Sequence, residues 1–351
     1  MSLPFQPLLT IERTSIPEVT IYGAMTVLDG TGRKLIEIGD QDSKYWTRSC
    51  LKPWQLLNHL HIVSKHYPAL EDRHLALMLS SHSGQSYHLK ALDEMEAMAG
   101  VDDSVLQNTP LYPVNPEQRM ALRASKKQPC ARWGCCSGKH LGFVMALMAE
   151  GKDHSKYLDP SSEHFVRMKK LLGHFLNVDW REIPQTTDGC RLPNYAFKPA
   201  EIALLYNQLV RPYDSLGLPE ADPSLGISES LAQFDRLKQF MSKCPEYVGG
   251  DERFDTELMQ GKYTNIAEAM ILAKEGADGI ITIGVGPCKQ YPSGLGIFVK
   301  SSSGDDPRYF SLIALELLDR LNLLLPAQRP QNRLKHLNFV YHFHLPELVA
   351  Q

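Results

Sequence analysis

The pattern of apolar and polar residues begins with two β-rich stretches, one on each side of a glycine-containing turn. Residues 19–28 carry mainly β-branched, aromatic and other apolar side chains, an Asp-Gly-Thr-Gly turn follows, and residues 34–38 are again mostly apolar. Such a pattern is typical of a β-hairpin. Residues 279–285 and 294–299 have the same β-like character with glycine punctuation, and residues 336–344 form a weaker run. Strands are therefore predicted near both ends of the chain.

Between these ends, apolar residues recur at intervals of three and four, which is the spacing of an amphipathic helix. The first such segment covers residues 49–64, with Pro53 in its first turn, where proline is tolerated. The pattern predicts further helices over residues 72–79, 86–99, 139–150, 161–176, 198–210, 229–242, 265–275 and 309–325.

This order of elements predicts an α+β fold in which the two ends of the chain share one antiparallel sheet. No repeat, low-complexity tract or linker divides the sequence. We therefore predict a single domain over residues 1–351, β-rich over 10–40 and 279–345 and helical over 49–275.

Composition narrows the class of partner. The chain has 351 residues, of which 43% are hydrophobic and 22% charged, and its formal net charge is -3. It can bury a sizeable core, but it lacks the concentrated basic field that nucleic acid or an anionic membrane surface requires. Its first residues show no basic segment followed by an apolar run, and no stretch approaches the ~18 apolar residues of a membrane helix. A small-molecule partner and a cytoplasmic location are expected.

Seven cysteines, an odd number, are scattered along the chain at positions 50, 130, 135, 136, 190, 244 and 288. Without an export signal, they are better explained as thiols or metal ligands than as a disulfide framework.

The chain contains one Ser-x-x-Lys sequence, Ser49-Cys50-Leu51-Lys52. Helix positions i and i+3 share a face, so the lysine amine can approach the serine hydroxyl. A serine nucleophile needs a base, and an amine can be that base only when uncharged, a form that the neighbouring Arg48 and the helix dipole favour. Unpaired N–H groups at the helix start could bind an oxyanion. The alternative is a capping serine and a solvated lysine.

Two other segments could contribute polar groups. Residues 77–85 run from an apolar stretch into a Ser-His-Ser-Gly turn that could present Ser81 to a pocket, although a plain serine and glycine loop explains them equally. Lys274 precedes Gly276 and Gly279 at the end of a predicted helix, where a cation is expected for reasons of the helix dipole alone.

Two tight turns combine a thiol, a charge and glycine. They are residues 134–140, Gly-Cys-Cys-Ser-Gly-Lys-His, and residues 187–194, Thr-Asp-Gly-Cys-Arg-Leu-Pro-Asn. Thiolates from both turns could meet at a zinc ion. Their spacing is not that of a zinc finger, and buried reduced cysteines remain the alternative.

Taken together, six segments in order resemble the asparaginase II family, the rhizobial-type L-asparaginases. These segments are Arg48-Ser49-Cys50-Leu51-Lys52-Pro53, Ser81-His82-Ser83-Gly84, Cys136-Ser137-Gly138-Lys139-His140, Asp188-Gly189-Cys190 with Pro193, Gly250-Asp251 through Arg253-Phe254-Asp255-Thr256 to Met259, and Lys274-Glu275-Gly276-Ala277-Asp278-Gly279.

The resemblance implies a fold similar to that of serine β-lactamases and penicillin-binding proteins, hydrolysis of L-asparagine to L-aspartate and ammonia, and a homodimer. It implies two Ser-Lys pairs, Ser49 with Lys52 and Ser81 with Lys274.

The same resemblance implies a metal site and a set of substrate-binding residues. It implies one zinc ion, held by Cys136, Lys139 and Cys190. The family positions near the substrate correspond to Arg48, His140 and Asp188.

Three residues depart from the family pattern and bear on metal affinity and substrate preference. Cys135 stands where a polar residue is usual, Gln85 where an acidic one is usual, and Arg191 where a small one is usual. Residues 300–351 match only loosely and are assigned no function.

Other functions fit parts of this pattern. A β-lactamase or penicillin-binding protein would also need a Lys-Thr-Gly strand, and this sequence has none. A glutaminase is closer, because one methylene changes discrimination by only ~1–3 kcal/mol. A zinc-stabilised protein that binds an amino acid without hydrolysing it, and purely structural roles for these residues, also remain open.

Overall fold

The computed structural model of the protein describes residues 5–304, 306–325 and 337–345. The strands are β1 (Gln6–Arg13), β2 (Ile16–Asp29), β3 (Lys34–Ile38), β4 (Tyr45–Trp46), β5 (Gln185–Thr187), β6 (Pro193–Phe197), β7 (Ile271–Gly276), β8 (Ile280–Val285), β9 (Leu295–Ser301) and β10 (Leu337–Tyr341). The helices are α1 (Lys52–Leu57), α2 (Leu60–His66), α3 (Asp72–Met78), α4 (Ser86–Ala99), α5 (Pro116–Ala124), α6 (Ser137–Ala149), α7 (Glu163–Leu176), α8 (Pro199–Leu209), α9 (Ser228–Leu231), α10 (Phe234–Lys243), α11 (Pro245–Val248), α12 (Phe254–Met259) and α13 (Pro307–Arg320). Within the described part of the chain, no helix has the length and apolar character needed to cross a bilayer.

The chain divides into two compact units. The sheet unit comprises Met1–Cys50, Ala196–Leu216 and Glu257–Gln351, and the helical unit comprises Leu51–Tyr195 and Gly217–Thr256. The organisation into one domain stays a prediction.

An antiparallel sheet forms the framework of the sheet unit. Its strand order is β10-β1-β2-β9-β8-β7, and β3 pairs with β2 beside this path. Met25 of β2 lies opposite Val299 of β9, so early and late parts of the sequence are direct neighbours. The predicted α+β class, with a sheet shared by the two ends of the chain, is confirmed. Strand β1 was not identified from the sequence as a separate strand.

Helix α8 packs directly on the middle of this sheet. Gly284 of β8 and Gly296 of β9 are paired opposite each other. A Cβ at Gly284 would collide with the backbone oxygen of Tyr206, and one at Gly296 with that of Ala203. The two glycines therefore allow α8 to lie close to the strands.

The prediction of a helix over residues 265–275 is wrong, and with it the continuous helical region 49–275. Ile271–Gly276 forms β7, whose residues pair with β8 from Ile271 opposite Val285 to Gly276 opposite Ile280. The segment is rich in good helix formers such as Ala, Met, Leu and Lys. Sheet pairing and burial outweigh that propensity, which amounts to only a few tenths of a kcal/mol per residue. Strands β5 and β6 also interrupt the predicted helical region.

Two apolar clusters build the core of the helical unit. Trp54, Phe175 and Phe234 form the first, with ring centroids 4.6 Å apart for the Trp54–Phe175 pair and 5.2 Å apart for the Phe175–Phe234 pair. The second consists of Phe143, Val144, Leu147, Tyr157, Phe165 and Leu192. Together they position α1, α6 and α7, the helices that carry or adjoin the candidate site.

The segment predicted as one helix over residues 49–64 is divided. A 3-10 turn, Arg48–Leu51, leads into α1, and α2 begins only at Leu60. Pro53 lies in the first turn of α1, as predicted. The backbone at His59 has φ -132°, outside the helical range, and ends the regular hydrogen bonding between α1 and α2.

The helical unit buries histidines as neutral side chains, which predicts a loss of stability in acid. Burial is the largest cause that lowers the pKa in each case, to about 3 for His59 and about 4 for His88. Burial also lowers the pKa of His82, His140 and His164. Below pH ~6.5 the unfolded chain takes up protons that the folded chain excludes. Each histidine should therefore lower the free energy of unfolding by about 1.4 kcal/mol per pH unit until its folded pKa is reached.

Urea unfolding between pH 7.5 and pH 4.5 measures this effect. His164→Phe is a matched variant, because both ring nitrogens of His164 are buried without a hydrogen-bond partner among the described residues, and the ring contacts Phe143 and Phe165. This variant should have a pH slope about 1.4 kcal/mol per unit smaller than that of the wild type. Equal slopes for both proteins would contradict the prediction.

Candidate functional site

In the sheet unit, Ser49 lies in a turn held against β7. The 3-10 turn Arg48–Leu51 contains Ser49 and continues into α1, whose first residue is Lys52. The thiol of Cys50 donates to the backbone oxygen of Lys274 at 3.1 Å. The turn that carries Ser49 is therefore fixed to the strand that carries Lys274.

Arg48, the first residue of this turn, is paired with Asp278, which follows the end of β7. Both residues lie in the left-handed region, with φ 48° and 62°, and their side chains form an ion pair. A Cβ at Gly276 would lie 3.1 Å from the sulfur of Cys50 and 3.3 Å from the Cβ of Arg48. Backbone strain at a non-glycine residue directly before Ser49 is of the kind found at functional sites.

Lys274 is fully buried in β7. Its Nζ donates to the backbone oxygen of Glu275 at 3.0 Å, and its own backbone oxygen also accepts from the hydroxyl of Thr282 at 3.3 Å. Because Lys274 belongs to a strand, the helix dipole that the sequence suggested does not explain the cation at this position.

In the helical unit, the amine of Lys52 is buried among three acceptors. Its Nζ donates to Ser80 O at 2.5 Å, to Ser81 Oγ at 2.9 Å and to Cys136 Sγ at 3.2 Å. Only 1% of the residue is exposed. An ammonium group has three donors, so these contacts account for all of them. The contact with Ser81 joins one member of each predicted Ser-Lys pair.

Residues 81–83 are held from two sides by backbone hydrogen bonds. The N–H of Ser81 donates to Val248 O at 2.9 Å, and that of Ser83 donates to Gly249 O at 2.8 Å. On the other side, the N–H of His82 donates to Cys135 O at 3.0 Å. The position of the Ser81 hydroxyl is thus set by two remote loops and not by a flexible serine and glycine turn.

The predicted metal ligands also come together. Lys139 Nζ lies 3.1 Å from Cys190 Sγ, and the thiols of Cys136 and Cys190 are hydrogen-bonded. Hydrogen bonds from Cys135 and Cys190, with the nearby positive charge of Lys52 and Lys139, lower the pKa of Cys136. The pKa values of Cys135 and Cys190 are raised instead, so the thiolate form is favoured most at Cys136.

This group offers two thiols and one amine as possible metal ligands. Among the residues that the structure describes, no three His, Cys, Asp or Glu side chains gather into a metal-binding group. A zinc ion held by Cys136 and Cys190 would therefore take the amine of Lys139 as a further ligand, in its uncharged form. Burial lowers the pKa of Lys139, but the charges of Cys190 and Cys136 outweigh it and raise the value overall. Metal binding would have to displace this proton.

His140 and Asp188 lie at the edges of the same group. His140 is buried, and its Nδ1 is 2.7 Å from the hydroxyl of Tyr157. Its Nε2 is buried with no hydrogen-bond partner in the described part of the chain, which leaves one polar atom for a ligand. Asp188 Oδ2 lies 3.9 Å from Cys190 Sγ.

Sequence reasoning missed the contact between Lys52 and Cys136. The first belongs to the predicted catalytic set and the second to the predicted metal set, and 3.2 Å separates their heteroatoms. It also missed the bond between His82 Nε2 and Ser137 Oγ, 2.7 Å long. No local pattern reports these contacts, because they join segments that are remote in sequence.

The chain matches the sequence model of one known protein family. The sequence model of the L-asparaginase II family matches residues 9–343, a range that contains every candidate residue. No curated protein matches the chain.

Among solved structures, a probable glutaminase from Bacillus subtilis complexed with 6-diazo-5-oxo-L-norleucine is similar at 14% identity, covering 86% of this chain and 84% of that chain, with a TM-score of 0.40. A Bacillus glutaminase is similar at 14% identity, covering 86% of this chain and 91% of that chain, with a TM-score of 0.39. A mutant of the class A β-lactamase of the last common ancestor of Gram-negative bacteria is similar at 14% identity, covering 85% of this chain and 91% of that chain, with a TM-score of 0.38.

Proposed function

The chain belongs to the L-asparaginase II family and is a hydrolase acting on amides, and on this basis we propose that it converts L-asparagine to L-aspartate and ammonia. Ser49 is the proposed nucleophile and Lys52 the proposed base. The observation that carries the proposal is the Lys52 amine, buried and hydrogen-bonded to Ser81 at 2.9 Å, in a helix that begins three residues after Ser49.

In the proposed reaction, the oxygen of Ser49 attacks the carbon of the side-chain amide. Lys52, in its uncharged form, takes the hydroxyl proton and returns it to the departing ammonia. A water molecule then hydrolyses the acyl-enzyme and restores the serine. In the first half Lys52 carries the serine proton to the leaving nitrogen, and in the second it carries a proton from water to the serine oxygen, so one base serves both halves of the reaction.

Ser81 and Lys274 are proposed to relay protons and to favour the uncharged form of Lys52, since clustered cations disfavour each other's charged forms. The bond between Lys52 and Ser81 supports the first half of this role. Arg48, His140 and Asp188 are proposed to bind the substrate, and the unpartnered Nε2 of His140 supports its assignment.

Cys136, Lys139 and Cys190 are proposed to hold one zinc ion. The ion would position the substrate and would be a poor Lewis acid, because two thiolates and an amine donate much electron density to it. The chemistry of the Ser-Lys groups is proposed to proceed without a metal-bound water.

Removal of the metal should therefore weaken substrate binding more than turnover. Cys190→Ala is expected to raise KM for asparagine by about tenfold and to change kcat by less than about threefold, the range seen when supports of a metal site are lost. Steady-state kinetics and the zinc content of the purified proteins measure both effects. Cys244→Ala, a free cysteine outside this group, serves as the control. An unchanged KM in zinc-free Cys190→Ala would contradict a positioning role.

Ammonia release tests the proposed function most directly. L-asparagine, L-glutamine and a β-lactam are offered in parallel, with and without added zinc. We expect kcat/KM for asparagine to exceed that for glutamine by roughly 10-fold to 200-fold, the effect of one methylene in a pocket. Faster hydrolysis of glutamine would identify a glutaminase, and binding of asparagine without ammonia release would identify a binding protein. Either result would overturn the proposal.

We further propose that the protein forms a homodimer and that it is located in the cytoplasm. Symmetric dimers are the commonest soluble oligomers. Light scattering on the purified protein should give twice the chain mass of 39.5 kDa. A mass of one chain at the concentrations used for kinetics would contradict the dimer.

A further inference from the structure

Two sequence features that the proposed mechanism does not use are brought together in the helical unit. The side-chain amide of Gln85, which departs from the family pattern, donates to Asp251 Oδ2 at 2.8 Å. In return, the backbone N–H of Asp251 donates to Gln85 Oε1 at 2.9 Å. The Tyr87 hydroxyl lies 3.0 Å from Gln85 Oε1 and 3.2 Å from Asp251 Oδ1. This two-point contact is called the Gln85–Asp251 clasp below.

The clasp lies at the end of the hydrogen-bond ladder that holds Ser81. The ladder pairs Ser81 with Val248 and Ser83 with Gly249, and Gly250 then turns the chain towards Gln85. Gly250 has φ 128°, and a Cβ there would lie 2.5 Å from Ser83 Oγ and 2.7 Å from Gln85 Oε1. Only glycine satisfies this approach without displacing the ladder.

An amide is the side chain that this contact requires. Gln85 must donate to a carboxylate and accept from a backbone N–H, and a carboxamide does both in any protonation state of its surroundings. A glutamate at the same place would accept from the N–H of Asp251 but would face its carboxylate. Two carboxylates in contact repel each other unless they share a proton.

We propose that Gln85 is a positioning residue for the amide hydrolysis: through the clasp it holds the 248–251 loop, and with it Ser81, in the place from which Ser81 bonds Lys52. This inference rests on the proposed function. It gives glutamine at position 85 a function: with an amide there, the clasp keeps its geometry as the pH rises. Substitution of the acidic residue usual in the family should restore a dependence on pH.

Among the described residues, His88 and Tyr87 also contact Gln85, and neither changes charge between pH 6 and pH 9. His88, whose Nδ1 accepts from the N–H of Gln85, has its pKa lowered by burial to about 4 and stays neutral. Burial, followed by the charges of Asp251 and Glu246, raises the pKa of Tyr87 well above this range. A pH effect that appears only with a carboxylate at position 85 therefore belongs to the 85–251 pair.

The test compares the wild type with Gln85→Glu, Asp251→Asn and the double variant, using kcat and KM for asparagine from pH 6 to pH 9. For Gln85→Glu, the ratio of its kcat to that of the wild type should fall on the order of tenfold over this range, with KM changed by less than about twofold, because misplacement of a reacting group affects turnover. The double variant has the acid at position 85 and the amide at position 251. The ratio of its kcat to that of the wild type should again be independent of pH. Asp251→Asn alone keeps one donor and one acceptor and should stay within about threefold of the wild type.

Two further variants keep the inference testable if Gln85→Glu does not fold. Gln85→Ala removes the clasp without adding charge and should lower kcat at every pH by a constant factor, and Tyr87→Phe should give a constant ratio near one. Three results would overturn the positioning role and leave the proposed function intact. They are a kcat ratio for Gln85→Glu that does not change with pH, a ratio for the double variant that still changes with pH, and an unchanged kcat in Gln85→Ala. A wild type that hydrolyses no amide would overturn both.

Discussion

Replacing Ser49 with alanine is expected to lower kcat for L-asparagine by at least about a thousandfold and to leave the protein folded. The change removes the oxygen that would form the acyl-enzyme, and loss of a nucleophile leaves only the catalysis that binding and positioning supply. The turn around Ser49 is held by Cys50 and by the ion pair of Arg48, neither of which involves the serine hydroxyl. Ammonia release at saturating asparagine measures the loss, and thermal unfolding checks the fold.

A matched control is available six residues earlier. Ser43 is an exposed serine whose hydroxyl bonds Asp40, also within the sheet unit, and Ser43→Ala should retain wild-type kcat. If Ser49→Ala kept more than about a tenth of wild-type kcat, far above the residual activity expected without a nucleophile, another residue would have to attack the amide.

Replacing Lys52 with methionine is expected to lower kcat by about two to four orders of magnitude, the usual contribution of a general base. Methionine has a similar length but cannot donate, so Ser80 O and Ser81 Oγ would lose a buried partner. Each such loss costs about 1–3 kcal/mol of unfolding free energy. Activity and stability should therefore fall together, as measured by ammonia release and urea unfolding.

Lys52→Arg separates the two roles of this lysine. Arginine keeps a permanent positive charge and can still donate to Ser80 O and Ser81 Oγ, but it cannot accept a proton from serine. We expect it to recover part of the stability that Lys52→Met loses and none of the activity. A Lys52→Arg enzyme with kcat near that of the wild type would show that the amine supplies only structure and charge.

Much of the fold could be predicted because its local patterns agree with its tertiary structure. The hairpin over residues 19–38, the strands β8 and β9, and helices such as α4 and α7 were all located from periodicity and turn residues. In these segments, the apolar positions that the pattern identifies are those that the fold buries. The α+β class followed from the order of these elements along the chain.

Residues 271–276 show where local reasoning fails. Their composition favours a helix by small increments, whereas β7 pairs with β8 across a short turn, and the composition of the segment does not report this pairing. The break at His59 within the 49–64 segment was missed because the apolar spacing continues across it, through Leu57, Leu60 and Val63.

The candidate site divides in the same way. Local motifs and the family resemblance were enough to identify four candidate site residues, namely Ser49, Lys52, Cys136 and Cys190. The contact of Lys52 with both Ser81 and Cys136 could not be predicted in this way, because it depends on three segments packed side by side. The Gln85–Asp251 clasp was equally inaccessible, although the sequence had identified Gln85 as unusual.

The strand order of the sheet unit has a consequence for how the protein is made. Strand β2 leaves the ribosome early, yet its partner β9 contains Val299, the residue opposite Met25. At ordinary rates of synthesis, the edge of β2 waits on the order of tens of seconds for β9 to emerge. Unpaired strand edges promote aggregation during that interval. Production of this enzyme should therefore benefit from abundant chaperones, which cover unpaired strand edges until β9 is made.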